Sequence, residues 1–389
     1  MNVLFVEESL DPSLGGIERV TYCLSKYLTK RGIGCYFIYY QNDYPKIEKQ
    51  YKLKVDLKRQ GCKEFKIEVL SFVEKNEIDV VINQDQYHWR LEMIYRELIN
   101  IGSCKIINCF HLSPDYFKYN KLTIKGKLKN VVYKLFTGYT PDVYVRKKNY
   151  ELCDRFVLLS QNFMNDFINL YGVTDTHKLI SISNPLSFDE SLDINVISQK
   201  KKQVLIISRL QESHKNICSA LRIWKRIEDY QIFDWKLVLA GYGRDEKLIL
   251  DYMSQLELKN VCYVGRSKNP QKLYQESKIF MMTSNFEGFG MTLTEALQNA
   301  CVPFVFNTFS SLHDIIESDY NGFIIPAKDE ILYATKMIEF MQGKNQDKYA
   351  VQALESSRKF SIENIGLQWI HLLNELVGYK IGRASCRER

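Results

Sequence analysis

The chain has 389 residues, of which 46% are hydrophobic and 25% charged. At roughly 150 residues per domain this allows two or three ordinary globular domains, and it excludes collagen-like, intrinsically disordered and small disulfide-scaffold classes. The net charge of +7 is local: from Tyr116 to Tyr150 nine Lys or Arg residues stand against one acid, Asp142, so this segment holds +8 and the remainder sums to −1.

The ten cysteines are scattered singly, never in the Cys-x-x-Cys spacing of structural zinc sites. Reduced, mostly buried thiols are expected. No apolar run reaches the ~18 residues a spanning helix needs. Glu7, Glu8 and Asp11 follow the first short hydrophobic run, so no signal peptide is expected and the chain is read as cytoplasmic.

In chain order, β-rich runs at 3–6, 35–40, 78–82, 105–110, 155–159 and 179–182 predict strands. The segments between them repeat apolar residues at helical spacing, as at Ile17, Val20, Leu24, Tyr27 and Leu28. Such alternation predicts a parallel sheet covered on both faces. It pauses at Asn184-Pro185 and a polar stretch ending in Gln199 to Lys202, which reads as a linker. A second series follows at 204–207, 236–239, 261–264, 279–282 and 302–306. A long amphipathic helix closes the pattern at 362–377, with Ile362, Ile365, Trp369, Leu372, Leu373 and Leu376 on one face. The expected domains are therefore 1–185 and 186–360, two α/β doubly wound parallel sheets, with a C-terminal helix over 361–380. Residues 381–389, IGRASCRER, read as a translated sequencing adapter outside the fold.

Chemistry-bearing residues cluster at strand ends. Ser13-Leu14-Gly15-Gly16-Ile17-Glu18-Arg19 follows the first strand, and His111 closes the run 105–110 at the edge where ligands bind in such sheets. Arg209 ends the first strand of the second series, and Lys215 follows six residues later. Gly241-Tyr242-Gly243 also follows a strand, but position 246 is Glu, so the spacing of a dinucleotide fingerprint is absent. The most informative stretch is FEGFGMTLTEAL, 286–297. Gly288 and Gly290 flank Phe289 and permit close backbone approach. The N–H groups of Met291, Thr292 and Leu293 open a helix and form an anion site. Glu287 and Glu295 stand on either side of that site and suit hydroxyls at the two ends of one elongated ligand, the layout of a nucleotide-sugar. The competing reading of Glu295 is an exposed first-turn glutamate favoured by the helix dipole.

The Glu287-x7-Glu295 spacing resembles the signature of retaining glycosyltransferases of family four, which have the GT-B fold of two Rossmann-like domains facing a central cleft. The resemblance covers residues 1 to about 380. It implies an acceptor-binding first domain, a second domain that binds a nucleotide-sugar, expected to be a UDP-sugar, and a C-terminal helix that packs back on the first. It assigns Arg209 and Lys215 to the donor diphosphate, with the N–H of Gly16 beside it. Glu295 falls to the ribose hydroxyls, and residues 288–293 to the donor. Glu287 takes the hydroxyls and developing oxocarbenium charge of the transferred sugar, with His111 on its opposite wall. No Asp-x-Asp pair occurs, which fits catalysis with no metal or other cofactor, the leaving diphosphate being neutralised by fixed cations. The acceptor expected is a glycan or lipid-linked glycan of a bacterial capsule, exopolysaccharide or lipopolysaccharide. A GT-B sugar phosphorylase and a non-catalytic glycan- or nucleotide-binding protein are the alternatives; the pyridoxal-phosphate type of phosphorylase would also need a buried lysine.

Within the basic segment, Ile124, Leu128, Val131, Val132 and Leu135 share one helical face flanked by Lys125, Lys127, Lys129 and Lys134. That layout suits an anionic membrane surface and places the protein at the inner face of the plasma membrane. It equally suits a core-facing helix with solvated lysines. No nucleic-acid-binding module accompanies the charge.

Overall fold

The computed structural model describes residues 1–41, 44–53, 62–84, 95–99, 104–114, 130–131, 134–136, 139–232 and 234–378. The chain forms two compact units, Met1–Pro185 together with the segment from Ile362 onward, and Leu186–Ser361.

The first unit is built on a seven-stranded sheet, β1 (Asn2–Glu7), β2 (Gly34–Tyr39), β3 (Gln50–Lys52), β4 (Val80–Asn83), β5 (Lys105–Phe110), β6 (Arg155–Leu158) and β7 (Leu179–Ser181), in the order β3-β2-β1-β4-β5-β6-β7. All pairings are parallel. The chain winds outward from β1 in one direction and then resumes at β4 in the other, so β1 and β4 bound the topological switch point. Val3, Phe5, Ile82, Ile107 and Val157 form the sheet's share of one buried cluster. The helix Ile362–Val377 completes that cluster with Ile365, Trp369, Leu372 and Leu373. It crosses the helix Gly16–Thr29 at Gly366, where an added Cβ would lie 2.2 Å from the Tyr27 ring. The Tyr27 hydroxyl also donates to the Glu363 carbonyl at 3.2 Å.

The second unit holds six parallel strands, β8 (Lys201–Arg209), β9 (Lys236–Tyr242), β10 (Val261–Gly265), β11 (Ser277–Met282), β12 (Val302–Asn307) and β13 (Phe323–Pro326), in the order β10-β9-β8-β11-β12-β13. Its switch point lies between β8 and β11. A separate cluster that includes Trp224, Trp235, Leu237, Ile279, Phe304 and Tyr333 is its core.

The stretch expected to be a linker is packed instead. Leu186 and Leu192 are buried, Ile194–Gln199 forms a 3₁₀ helix, and β8 begins at Lys201. Lys200, read as part of that polar stretch, is 7% exposed because its ammonium group donates to the carbonyls of Tyr274 and Asn299 at 2.8 and 2.7 Å. Lys125, Lys127 and Lys129 lie outside the described residues. Lys134 is exposed, as are Val131, Leu135 and Phe136. Among the described residues no helix is long and apolar enough to cross a membrane.

Candidate functional site

In the second unit, the two loops that leave the switch point are tied together. Beyond β8 run Leu210, Gln211 and the short helix Glu212–Lys215; beyond β11 run Thr283 to Glu287. Asn285 N–H donates to the His214 carbonyl at 2.8 Å, Asn285 Nδ2 to the Ser213 carbonyl at 3.0 Å, and Thr283 Oγ1 to the Asn216 carbonyl at 2.9 Å. This stitching sets Lys215 Nζ 2.5 Å from Glu287 Oε1, an oxygen that also accepts from Ser284 Oγ at 2.7 Å. Both ends of the pair are largely withdrawn from solvent, with side chains 21% and 12% exposed, so their attraction is weakly screened.

A third loop, after β9, rests on the end of β8. Gly241 has φ +147, and a Cβ there would lie 1.9 Å from the Ser208 carbonyl oxygen; one on Gly243 would lie 2.3 Å from that of Leu210. Only glycine permits this approach. The loop delivers Arg244, whose Nη2 donates to Ser213 Oγ at 3.1 Å. Burial holds the His214 imidazole below its ordinary pKa, and the cations of Lys215, Arg244 and Arg209 lower it further. Three cations therefore share this corner with Glu287. Arg244 is not among the residues the sequence points to; its only signal is the Gly-x-Gly after a strand, whose spacing lacks a dinucleotide fingerprint.

Gly290 takes φ +95 and caps the helix Met291–Gln298. Of the three N–H groups expected at its start, that of Leu293 donates to the Gly290 carbonyl at 2.8 Å. Met291 and Thr292 head the helix, beyond the reach of any intrahelical carbonyl. Phe289 contributes backbone, since its ring is buried against Phe360 at 5.7 Å. Ser311 Oγ pins that backbone by donating to the Phe289 carbonyl at 3.1 Å. Glu295 is not an exposed first-turn residue: it is 6% exposed, and its Oε2 accepts from the buried Tyr274 hydroxyl at 2.9 Å. Lys200 is the buried lysine of this unit, and its two carbonyl partners commit it to structure. Among the described residues no group of three or more His, Cys, Asp and Glu gathers as a metal site.

In the first unit, Gly15 precedes the helix Gly16–Thr29 with φ −163, an extended conformation open to any residue. What occupies the space of its missing Cβ is Glu18 Oε2, at 2.5 Å. His111 follows β5, is 8% exposed, and shares a hydrogen bond between its Nε2 and Gln84 Oε1. Burial lowers its pKa to about 4. Gln84, just past β4 at the switch point, is 1% exposed and was not singled out from sequence.

Residues 187–357 match the family model described as glycosyl transferases group 1. The poly(glycerol-phosphate) alpha-glucosyltransferase of Bacillus subtilis is 26% identical over 273 residues, 69% of this chain and 37% of that protein. The amylovoran biosynthesis glycosyltransferase AmsD of Erwinia amylovora is 26% identical over 229 residues, 58% of this chain and 63% of that protein. The chain thus spans 37% to 63% of the length of these curated relatives. Among solved structures, Anabaena HepE in complex with UDP and glucose superposes with a TM-score of 0.73 at 14% identity, covering 96% of this chain and 100% of that one. A variant of S. aureus TarM in complex with fondaparinux, alpha-GlcNAc-glycerol and UDP gives 0.72 at 14% identity, covering 96% and 99%. At such identities the likeness carries the fold, which is GT-B. The match to the glycosyl transferases group 1 model thus lies in residues 187–357 of a chain whose fold is GT-B.

Proposed function

We propose that the protein is a retaining glycosyltransferase of family four that moves a sugar from a UDP-sugar to a glycan or lipid-linked glycan in the assembly of a bacterial surface polysaccharide. The observation that carries this reading is the gathering of Lys215, Arg209, Arg244 and Glu287 around His214 at the switch point of the second unit, with Lys215 paired to Glu287, next to a glycine-capped helix start. Departure of a nucleoside diphosphate gathers negative charge, which fixed cations and the N–H groups of Met291 and Thr292 stabilise as it develops, with no metal required. Lys215 moves from Glu287 towards the phosphates. The carboxylate is then left to accept hydroxyls of the transferred sugar and to face its positive charge. Tyr274 holds Glu295 in orientation for the ribose hydroxyls. The roles of Gly16 at the diphosphate and His111 at the sugar rest on family resemblance alone. UDP is favoured because the solved structures of TarM and HepE hold it. The polysaccharide reading draws on the names of AmsD and the poly(glycerol-phosphate) enzyme.

Thermal shift and calorimetry with UDP, GDP, ADP and CMP in EDTA test this reading. UDP is expected to stabilise the protein by about 2.7 kcal/mol at ~100 times its dissociation constant. Arg209→Ala and Lys215→Ala should each weaken UDP binding about tenfold or more, the worth of a hydrogen bond to a charged group. Affinity retained in both variants would remove the diphosphate assignment. Phosphate-dependent release of sugar phosphate would favour a phosphorylase, and binding without transfer or donor hydrolysis a non-catalytic protein. For a lipid-linked acceptor, replacing Lys125, Lys127 and Lys129 by Glu should abolish binding to anionic liposomes.

A further inference from the structure

The carboxyl ends of β4 and β5 carry four buried polar side chains, Asn83, Gln84, Asn108 and His111. Two of them satisfy each other: Asn83 and Asn108 are register partners, and Asn83 Nδ2 donates to Asn108 Oδ1 at 2.6 Å. The other two are joined by the single bond between Gln84 Oε1 and His111 Nε2. That bond fixes a chemical identity. An amide oxygen only accepts, so Nε2 must carry the proton, and in a neutral ring Nδ1 is then a bare acceptor. Burial keeps the ring neutral at ordinary pH, as its pKa of about 4 indicates. Among the described residues, His111 Nδ1 and Gln84 Nε2 are both buried with no hydrogen-bond partner.

Leaving two such atoms unmatched is costly, and a folded protein retains them where something else completes them. One is an acceptor and the other a donor; Gln84 sits at the switch point of the sheet, where ligands bind in folds of this kind, and His111 one strand beyond it. A hydroxyl group both donates and accepts, so it matches either atom. A carboxylate or phosphate, having no proton to give, does not match Nδ1.

We infer that Gln84 is the positioning residue that holds His111 as its neutral, Nε2-protonated tautomer, so that Nδ1 accepts from a hydroxyl of the bound ligand. On this account His111 neither donates a proton nor offers positive charge; it recognises a hydroxyl by accepting from it. Only the identification of that hydroxyl with a sugar rests on the transferase reading above.

The full-length protein with isotope-labelled histidine gives the test. Two-bond proton–nitrogen correlation spectra distinguish the tautomers, and His111 is assigned by the peaks lost in His111→Phe. The Nε2-protonated pattern is expected at near-neutral pH. Gln84→Met should convert it to a tautomer mixture, and Gln84→Glu, which keeps the acceptor and adds charge, should drive the ring towards imidazolium. A proton on Nδ1 in the parent protein, or an unchanged pattern in both folded variants, overturns the inference; the parent spectrum needs no variant to fold. With the sugar donor that gives turnover, Gln84→Met should lower kcat/KM by about tenfold. Lack of turnover in a protein that keeps the expected tautomer would refute the transferase reading and leave the positioning role standing.

Discussion

Lys200 shows how a single residue can serve the site without approaching it. Its ammonium group ties the backbone of Tyr274 to that of Asn299, and Tyr274 in turn holds Glu295. Its burial lowers the pKa from 10.5 to about 8. The sign of the resulting linkage is set by the unfolded chain, which binds the proton more tightly and keeps it through the window from about 8 to 10.5. This residue's contribution to stability therefore rises with pH across that window. Between pH ~7 and ~9 the parent should gain about 1 kcal/mol relative to Lys200→Met, read as the difference in urea midpoints; an equal response in both proteins would show that Lys200 titrates as it does in water. His111 works with the same sign lower down. Its depressed pKa means that stability falls as pH drops from 6.5 towards about 4, and His111→Phe should blunt that acid loss. At this scale the sequence spoke through residue type and local spacing. Arg209 and Lys215 stand out as candidates by their place at a strand end, and Glu287 and Glu295 by the glycine pair and helix start beside them. Arg244 and Gln84 do not, because their meaning comes from sheet neighbours far along the chain: β9 beside β8, and β4 beside β5.

Helices and interior strands follow from periodicity, whereas of the four edge strands only β7 and β10 do. The run 105–110 and the helix expected at 362–377 match β5 and Ile362–Val377 in their bounds. The remaining interior strands differ from expectation by a few residues at their ends. The strands missed were β3 and β13, of three and four residues, each at an edge of its sheet. An edge strand pairs on one side only and need not bury both faces, so Gln50-Tyr51-Lys52 carries no apolar run to announce it, whereas β13, Phe323-Ile324-Ile325-Pro326, is apolar but only four residues long. The resemblance implies that the C-terminal helix packs on the first domain, but no pattern in the sequence marks the point where it meets the helix Gly16–Thr29. Gly366 sits on a helical pattern where alanine would raise propensity. In the folded unit, however, its missing Cβ makes room for the Tyr27 ring. Gly366→Ala is expected to destabilise by about 1–3 kcal/mol through overpacking. Tyr27→Leu in the same chain should recover part of that loss, because the close contact is then gone; a neutral Gly366→Ala in chemical denaturation would mean that the helices separate freely. Gly290→Ala tests a second element. With φ +95 at the helix cap, a side chain is strained by about 1 kcal/mol. The substitution should shift the helix start and weaken UDP binding more than it lowers stability.

At the scale of the whole molecule, the chain leaves the first unit at Pro185, completes the second, and returns at Ile362 to finish the first. The two units therefore differ in how they depend on chain continuity. The second is one uninterrupted segment with its own buried cluster, whereas the first needs Ile365, Trp369, Leu372 and Leu373 from beyond the second to close its core. Every cation and carboxylate placed at the proposed donor site, Arg209, Lys215, Arg244, Glu287 and Glu295, lies on that uninterrupted segment. A fragment spanning residues 186–361 is therefore expected to fold cooperatively and to bind UDP, while supporting no transfer, since Gly16 and His111 are absent from it. A chain ending at Ser361 should behave in the opposite way: loss of four buried apolar side chains at about 1.5–3 kcal/mol each removes roughly 6–12 kcal/mol, comparable to the whole stability of a typical domain. Its first unit should melt early while the second still shows a UDP-dependent transition. Differential scanning calorimetry of both truncations with and without UDP separates these outcomes. A folded 186–361 fragment with no UDP response would mean that the nucleotide is held chiefly by the first unit, and the assignment of Arg209 and Lys215 to its diphosphate would fall with it.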